Sequence, residues 1–214
     1  MRPQTMDNEN TGLLARLFQE ARTFSTWQAH PVPEGAIEAA FALARLGPTS
    51  ANCQPLRLLP VKSVEAKTRL LACVSSGNYR KVETAPMTAI IAYEVAFFDH
   101  LPRLYPHTDA RSWFTANDAL ARETAFRNSS LQGAYFILAL RAQGLDCGPM
   151  SGFDADKVDA AFFSRGSMAR EFPIEHRIRR PRGAASALAA SRVQRSRQVG
   201  LTRTGRSVVK LGGA

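Results

Sequence analysis

Gly47-Pro48-Thr49-Ser50-Ala51-Asn52-Cys53-Gln54-Pro55 packs hydroxyls and carboxamides between two prolines, directly after an amphipathic segment. Pro48 and Pro55 fix their own φ and restrict the residue before each. Thr49, Ser50, Asn52 and Gln54 are therefore expected to hold set positions before any ligand arrives. The stretch reads as a preformed polar loop suited to a ring bearing several carbonyl and N–H groups, with a purely structural turn as the alternative.

The flanks of this loop define the body of the chain. Upstream, Leu13, Leu14, Leu17, Phe18 and Ala21 recur at helical spacing, which predicts a helix ending near Arg22. A second helix starts near Pro33 and Glu34, lines up Ile37, Ala40, Phe41 and Ala44, and stops at Gly47-Pro48. Downstream, Arg57 to Val61 reads as a strand and Val64 to Val74 as a helix. Ala89-Ile90-Ile91-Ala92-Tyr93, bounded by Pro86 and Glu94, has the continuous apolar character of a strand buried on both faces. Asp99 to Asp118 shows no period and is expected as a long loop or lid. A helix is predicted over Asn117 to Ala142, central in the core, with Gly144 at its C-terminal end. Asp146 to Phe153 reads as a Gly/Pro turn and Asp156 to Phe163 as a last short helix. The expected class is α+β and rich in helix.

Charge divides the chain in two. The formal net charge is +10, yet residues 165–214 hold 12 of the 28 Lys+Arg and 2 of the 18 Asp+Glu, which leaves residues 1–164 with 16 of each. The body is neutral, and all the excess that could suggest a nucleic-acid partner sits in the last segment. Beyond Ser164, Arg, Ala, Ser and Gly dominate and no apolar face is sustained, so 165–214 reads as a basic, disordered tail. Cys53, Cys73 and Cys147 are isolated, with neither metal-ligand spacing nor a disulfide framework, and imply a reducing, cytoplasmic setting. No apolar run approaches the roughly 20 residues of a membrane helix. The polar N-terminus, with Asp7 and Glu9, is not expected to be a signal peptide.

Self-sufficient catalytic sets are missing. The chain has no Gly-x-Gly-x-x-Gly or Walker loop, no His-Glu-x-x-His helix and no Gly-x-Ser-x-Gly elbow. His30, His100 and His107 read as surface residues. What remains is a set of cradle-like elements, the pattern expected when a bound cofactor carries the chemistry. They are Arg22-Thr23, the Pro48 to Pro55 loop, Asn78 with Lys81, and Cys147-Gly148-Pro149-Met150-Ser151-Gly152-Phe153.

In this order and spacing the elements resemble the nitroreductase family of FMN enzymes, over residues 11–164. Gly47 to Asn52, Ser75-Ser76-Gly77-Asn78, Asp109 to Thr115, Glu123 to Ser130 and Gly148 to Asp154 carry a closer resemblance. It is to the branch that includes malonic semialdehyde reductases of pyrimidine degradation. The resemblance implies a nitroreductase-like α+β fold with a mixed β-sheet between helices, incomplete at the C-terminus. It also implies a homodimer with FMN at the subunit interface, NADH or NADPH as hydride donor, and a small-molecule acceptor. That acceptor is malonic semialdehyde, reduced to 3-hydroxypropionate, or nitroaromatics and quinones in the broader family. A nucleic-acid or membrane partner is not implied.

By the same resemblance, Arg22 and Thr23 stand at the FMN phosphate and ribityl chain, a task suited to an Arg fork. Ser50, Asn52 and Gln54 approach the flavin across the interface. Asn78 and Lys81 meet its pyrimidine edge, and Pro149, Ser151 and Gly152 pack over the ring. Arg111, Trp113, Arg127 and Asn128 are the implied substrate contacts. One departure lies near the start, where Phe24, Ser25 and Thr26 replace a second basic residue.

The larger departure is at the end. The family continues with a strand, a Gly-Tyr-Gly-Asp-like turn and an Arg-bearing C-terminal arm. Here Arg177-Ile178-Arg179-Arg180-Pro181-Arg182-Gly183 back-translates with GC-rich codons as CGG ATA CGG CGA CCC CGC GGC. Read one nucleotide later, that string encodes Gly-Tyr-Gly-Asp-Pro-Ala. A frameshift between Phe163 and Arg177 accounts for both the lost pattern and the basic tail. Resequencing the gene is expected to show the displaced frame, and an uninterrupted, confirmed frame sinks the idea.

Overall fold

The computed structural model describes residues 8–163 and the backbone of 168–178. Contacts divide the chain into units 1–179 and 180–214, and every described residue lies in the first. Four strands form one sheet in the order β1-β2-β4-β3, with β1 at Leu56–Val61, β2 at Met87–Glu94, β3 at Leu145–Pro149 and β4 at Met168–Ile178. All three pairings are antiparallel, from Leu56 opposite Tyr93 to Leu145 opposite Ile178. Among the described strands the sheet is thus antiparallel where a mixed sheet was expected, because each strand's hydrogen-bonded neighbour runs back against it.

Helices cover both faces. On one face, α2 (Ala36–Ala44) and α7 (Asp118–Ala142) bury Ile37, Ala40, Phe136 and Leu140 against Leu56, Met87, Ile91 and Cys147. On the other, α3 (Val64–Leu71), α4 (Ser76–Thr84) and α8 (Ala155–Phe162) bring Leu70, Val82 and Val158 against Val61 and Ile90. Successive β2 residues Ile90 and Ile91 feed opposite cores, the period-2 alternation of a strand. That is why the Ala89 to Tyr93 run reads as apolar throughout. A third cluster of Cys53, Phe97, Leu101, Ala110, Phe114, Ala121 and Ala125 closes one end.

Several expectations are corrected. The first helix is α1 (Asn8–Leu14) continued by a π-turn over Ala15–Gln19, and it stops short of Arg22. Asp99–Asp118 is not a structureless lid. It contains α5 (Leu101–Leu104) and α6 (Ser112–Thr115), anchored by buried Leu101, Ala110 and Phe114. Asp146 to Pro149, expected within a turn, belong to β3, because β4 supplies hydrogen-bond partners along them.

The largest correction concerns the segment after Phe163. Its backbone forms β4 between β2 and β3, pairing Met87 with His176 and Pro149 with Ile174. Pro173 lacks the N–H a central strand normally contributes, and it falls opposite Ile90, next to the register shift between Ile90 and Ala92. The remainder of the expected tail, 179–214, lies outside the described residues.

The long helix α7 organises the molecule. Asn117 caps it, its side chain accepting from the Leu120 N–H at 3.0 Å. Its buried stripe is apolar at both ends, with Ala121 and Ala125 in one cluster and Phe136, Ala139 and Leu140 in another. Between them the stripe turns polar at Asn128, Ser129 and Gln132. Gly47 packs beside this helix so closely that a Cβ there would lie 2.1 Å from the Tyr135 ring. Gly47→Ala is therefore expected to lower unfolding free energy by about 1–3 kcal/mol through overpacking. Asn117→Ala is expected to cost about 1 kcal/mol through the lost cap. Chemical denaturation of both variants checks the pair, and an unchanged midpoint for Gly47→Ala refutes the close packing.

Candidate functional site

The proline-bounded loop is held by one face of α7. Asn128 Oδ1 accepts from the Ser50 N–H at 2.8 Å, Gln132 Oε1 accepts from the Leu56 N–H at 3.1 Å, and the Tyr135 hydroxyl donates to the Pro48 carbonyl at 3.2 Å. These three side chains follow i, i+4, i+7 spacing, so they line one stripe of the helix. The tethered backbone is strained. Ala51, Asn52 and Gln54 have φ of 48°, 49° and 41°, a region that costs non-glycine residues roughly 1–2 kcal/mol each. Strain of this kind persists only where surrounding bonds over-determine it.

The loop side chains are also connected. Gln54 Nε2 donates to Asn52 Oδ1 at 2.7 Å, Asn52 Nδ2 donates to the Leu104 carbonyl at 3.0 Å, and Thr49 Oγ1 accepts from the Gln54 N–H at 3.3 Å. Ser50 and Asn52 are exposed, and Gln54 is half-buried. Cys53 is buried, which pushes its thiol up to about 11. It is held as the neutral thiol, a packing group rather than a nucleophile.

A second constellation forms where α4 meets the turn after β3. Asn78 Nδ2 donates to the Gly152 carbonyl at 3.1 Å, and that carbonyl also accepts from the Ser75 N–H at 3.0 Å. Lys81 Nζ donates to Asn78 Oδ1 at 3.2 Å, and among the described residues no carboxylate pairs with it. Gly152 allows the approach, since a Cβ there would stand 2.5 Å from Asn78 Nδ2 and 2.7 Å from Ser75 Oγ. Pro149 ends β3, opposite Ile174, and Ser151 is exposed.

The segment after Arg22 reaches this same cluster. Trp27 Nε1 donates to the Lys81 carbonyl at 3.0 Å, and the Phe24 carbonyl and Trp27 ring sit over Gly148. Arg22 is exposed and bonds only backbone, donating through Nη1 to the Gln19 and Ala21 carbonyls at 3.0 and 2.7 Å. Thr23 is exposed beside it. Trp27 and Phe24 escaped sequence reasoning. Their signal was an indole and a phenyl ring in an otherwise polar stretch, which need a surface to cover.

The implied substrate residues do not gather at one point. Arg111 is exposed and makes a two-nitrogen ion pair with Asp99, both contacts at 2.9 Å, on the segment leading into α6. Trp113 is 49% exposed and tilts against Tyr105 and Phe114. Arg127 pairs with Glu123 one turn back, at 2.5 Å. Asn128 is 8% exposed, and its other end donates to the Thr124 carbonyl at 2.8 Å. Its carboxamide is thus committed at both ends, and within this chain its work is to hold the loop. Gln132 was missed altogether, although a Gln on the buried stripe of a helix signals an internal hydrogen bond.

A model of the nitroreductase family matches residues 19–165, a span that contains both constellations. The chain belongs to the nitroreductase family. A Polynucleobacter asymbioticus protein, provisionally named an NADH dehydrogenase/NAD(P)H nitroreductase, is 53% identical over 77% of this chain and 84% of its own length. A Burkholderia lata protein of the same provisional name is 55% identical over 75% of this chain and 83% of its own. The crystal structure of a provisionally named nitroreductase from Exiguobacterium sibiricum, solved in complex with FMN, superimposes with a TM-score of 0.72 at 18% identity. It covers 87% of this chain and 94% of the other. Family membership makes this nitroreductase-family chain an oxidoreductase by kinship. Among its described residues no helix is long and apolar enough to cross a membrane.

Two measurements check this geometry. Asn128→Ala leaves the Ser50 N–H unsatisfied and releases the strained loop, so it is expected to cost about 1–3 kcal/mol and to speed amide exchange at Ser50. Unchanged exchange there contradicts the tether. Cys53, Cys73 and Cys147 are all buried and free, and burial pushes the Cys147 thiol up to about 12. Each of these thiols is expected to resist a thiol reagent at pH 8 until denaturant is added. Rapid native labelling of Cys53 or Cys147 contradicts that burial.

Proposed function

We propose that this chain is an NAD(P)H-dependent oxidoreductase that uses FMN, works as a homodimer, and reduces a small carbonyl acceptor. The observation that carries the reading is the convergence at Gly152. Trp27, Lys81, Asn78 and the turn after β3 are tied together by hydrogen bonds around a half-buried ammonium that no carboxylate among the described residues neutralises. Such a site suits an electron-rich ring edge, and the residues present fit FMN. Arg22 keeps donors for a phosphate, Asn78 and Lys81 offer donors to a pyrimidine edge, and Gly152 lets the backbone approach a flat ring.

When bound, FMN supplies hydride transfer, taken from NAD(P)H and passed to the acceptor. The protein's contribution is electrostatic and positional. Lys81 stabilises negative charge that develops on the ring, and Asn78 and Trp27 hold Lys81 and its helix in place. Neither constellation contains a side chain primed as a nucleophile, in keeping with chemistry carried by a cofactor.

Homodimerisation follows from the family resemblance, and the two constellations draw on different elements. The α7-held loop joins Asn128 and Leu104, while the Gly152 cluster joins α4, β3 and the segment after Arg22. A second copy can set the loop of one subunit against the cluster of the other, which brings Ser50, Asn52 and Gln54 to the ring. By the family resemblance, Arg111, Trp113 and Arg127 are then assigned to substrate recognition, with Asn128 contributing through the loop it holds. The sequence resemblance to the malonic semialdehyde reductase branch supports malonic semialdehyde as the acceptor and a cytoplasmic role in pyrimidine degradation. A broad nitroaromatic or quinone reductase is the second reading, favoured by the names of the relatives. A reading frame displaced after Phe163, the expectation drawn from the sequence, would favour a third, an inactive relic that retains the fold.

The purified protein is expected to be yellow, with flavin absorption bands, or to become so on reconstitution with FMN. Lys81→Ala is expected to lower hydride transfer to the acceptor by about tenfold or more, by analogy with loss of one preorganised donor. A colourless protein that cannot be reconstituted rejects the flavin reading for this chain. Faster NADH oxidation with a nitroaromatic than with malonic semialdehyde selects the broader activity.

A further inference from the structure

A cavity of about 280 Å³ lies on the far side of the strained loop, and Arg45, Gln54, Arg57, His100, Arg103 and Gln132 line it. It includes none of the Gly152 cluster, and it shares Gln54, Leu56, Leu104 and Gln132 with the tethered loop. Its charge is unbalanced. Glu94 takes the Arg57 guanidinium in an ion pair and lies 3.0 Å from His100 Nε2. Arg45 has one hydrogen bond, from Nε to Gln54 Oε1 at 3.2 Å, and no counter-ion among the described residues. Arg103 has no hydrogen bond or ion pair among the described residues. Three guanidinium groups therefore face one carboxylate.

A buried donor adds independent evidence. Gln132 is 1% exposed, and its Oε1 is fixed by the Leu56 N–H, which settles the orientation of the carboxamide. Its Nε2 has no hydrogen-bond partner among the described residues. A buried amide donor left unpaired loses its hydration without recompense, so native structures keep one where something else fills the need. An oxygen of a bound ligand in the cavity that Gln132 lines would fill it.

We infer that this cavity binds a small dianion, a dicarboxylate or a phosphate. Two uncompensated guanidinium groups match two negative charges, and planar forks favour carboxylate or phosphate oxygens over halide. Gln132 Nε2 supplies the one neutral, buried donor that a bare surface of arginines lacks. Arg57 keeps its place through Glu94 and through Nη1, which donates to the Gln54 and Leu56 carbonyls at 3.1 and 2.8 Å. One wall is therefore set before the ligand arrives.

The full chain is titrated calorimetrically with succinate and with inorganic phosphate at constant ionic strength, with chloride as the control. Saturable binding of either dianion in the millimolar range or tighter is expected, with none for chloride. Arg103→Ala is expected to weaken binding about tenfold, the loss of one charge-assisted pair, and Arg103→Glu to abolish it. Gln132→Glu keeps the acceptor for Leu56 and replaces the free donor, so it too should abolish binding. If that buried variant fails to fold, the exposed Arg103 variants decide alone. No saturable binding of either dianion overturns the inference, and so does an affinity indifferent to both Arg103 variants. The measurement needs neither flavin nor turnover, so its outcome is independent of the activity proposed above.

Discussion

Three side chains on one stripe of α7 hold the proline-bounded loop in a backbone conformation it would not choose alone. Asn128, Gln132 and Tyr135 reach the loop at Ser50, Leu56 and Pro48, its middle and its two ends. Between those anchors three non-glycine residues sit at positive φ. The strain of a few kcal/mol is of the same order as the bonds that oppose it. The arrangement explains why the buried stripe of α7 is polar at its centre. Aliphatic residues there would pack better but would leave the loop untethered.

The prolines and the helix divide the work. Pro48 and Pro55 reduce the conformations open to the loop before folding, and α7 selects one of those that remain. The Gly152 cluster follows a different logic, in which a missing side chain matters as much as those present. The room beside Gly152 brings the Asn78 carboxamide onto the turn, and Asn78 in turn orients Lys81.

Legibility of the fold tracked how strongly each element declares its burial. β2 and α7 were plain, because an apolar run buried on both faces and a long periodic stripe are strong patterns. The helix α4 was not, since Ser76, Gly77 and Asn78 are poor helix formers and Val82 is its one buried residue. β3 hid behind Gly148 and Pro149, which read as a turn until β4 lies alongside. β4 itself was illegible, because Arg170, Glu171, Glu175 and Arg177 do not look like a central strand. The candidate site was legible through spacing of polar residues, but the loop-holding use of Asn128 was not. A carboxamide reads the same in sequence whether it faces a ligand or a backbone N–H.

The place of β4 in the sheet has a consequence for biosynthesis. β3 has no hydrogen-bonded neighbour among the described strands except β4, and β2 lacks its second neighbour until β4 arrives. The sheet therefore cannot close until the ribosome has passed residue 178, although β1 and β2 can pair once residue 94 has emerged. During that interval β2 presents an open, apolar edge, the kind of edge that recruits other chains. Nascent chains that stall or terminate before β4 are thus the most exposed to chaperones and to misassembly. Any change in reading frame upstream of Met168 rewrites the strand on which closure depends.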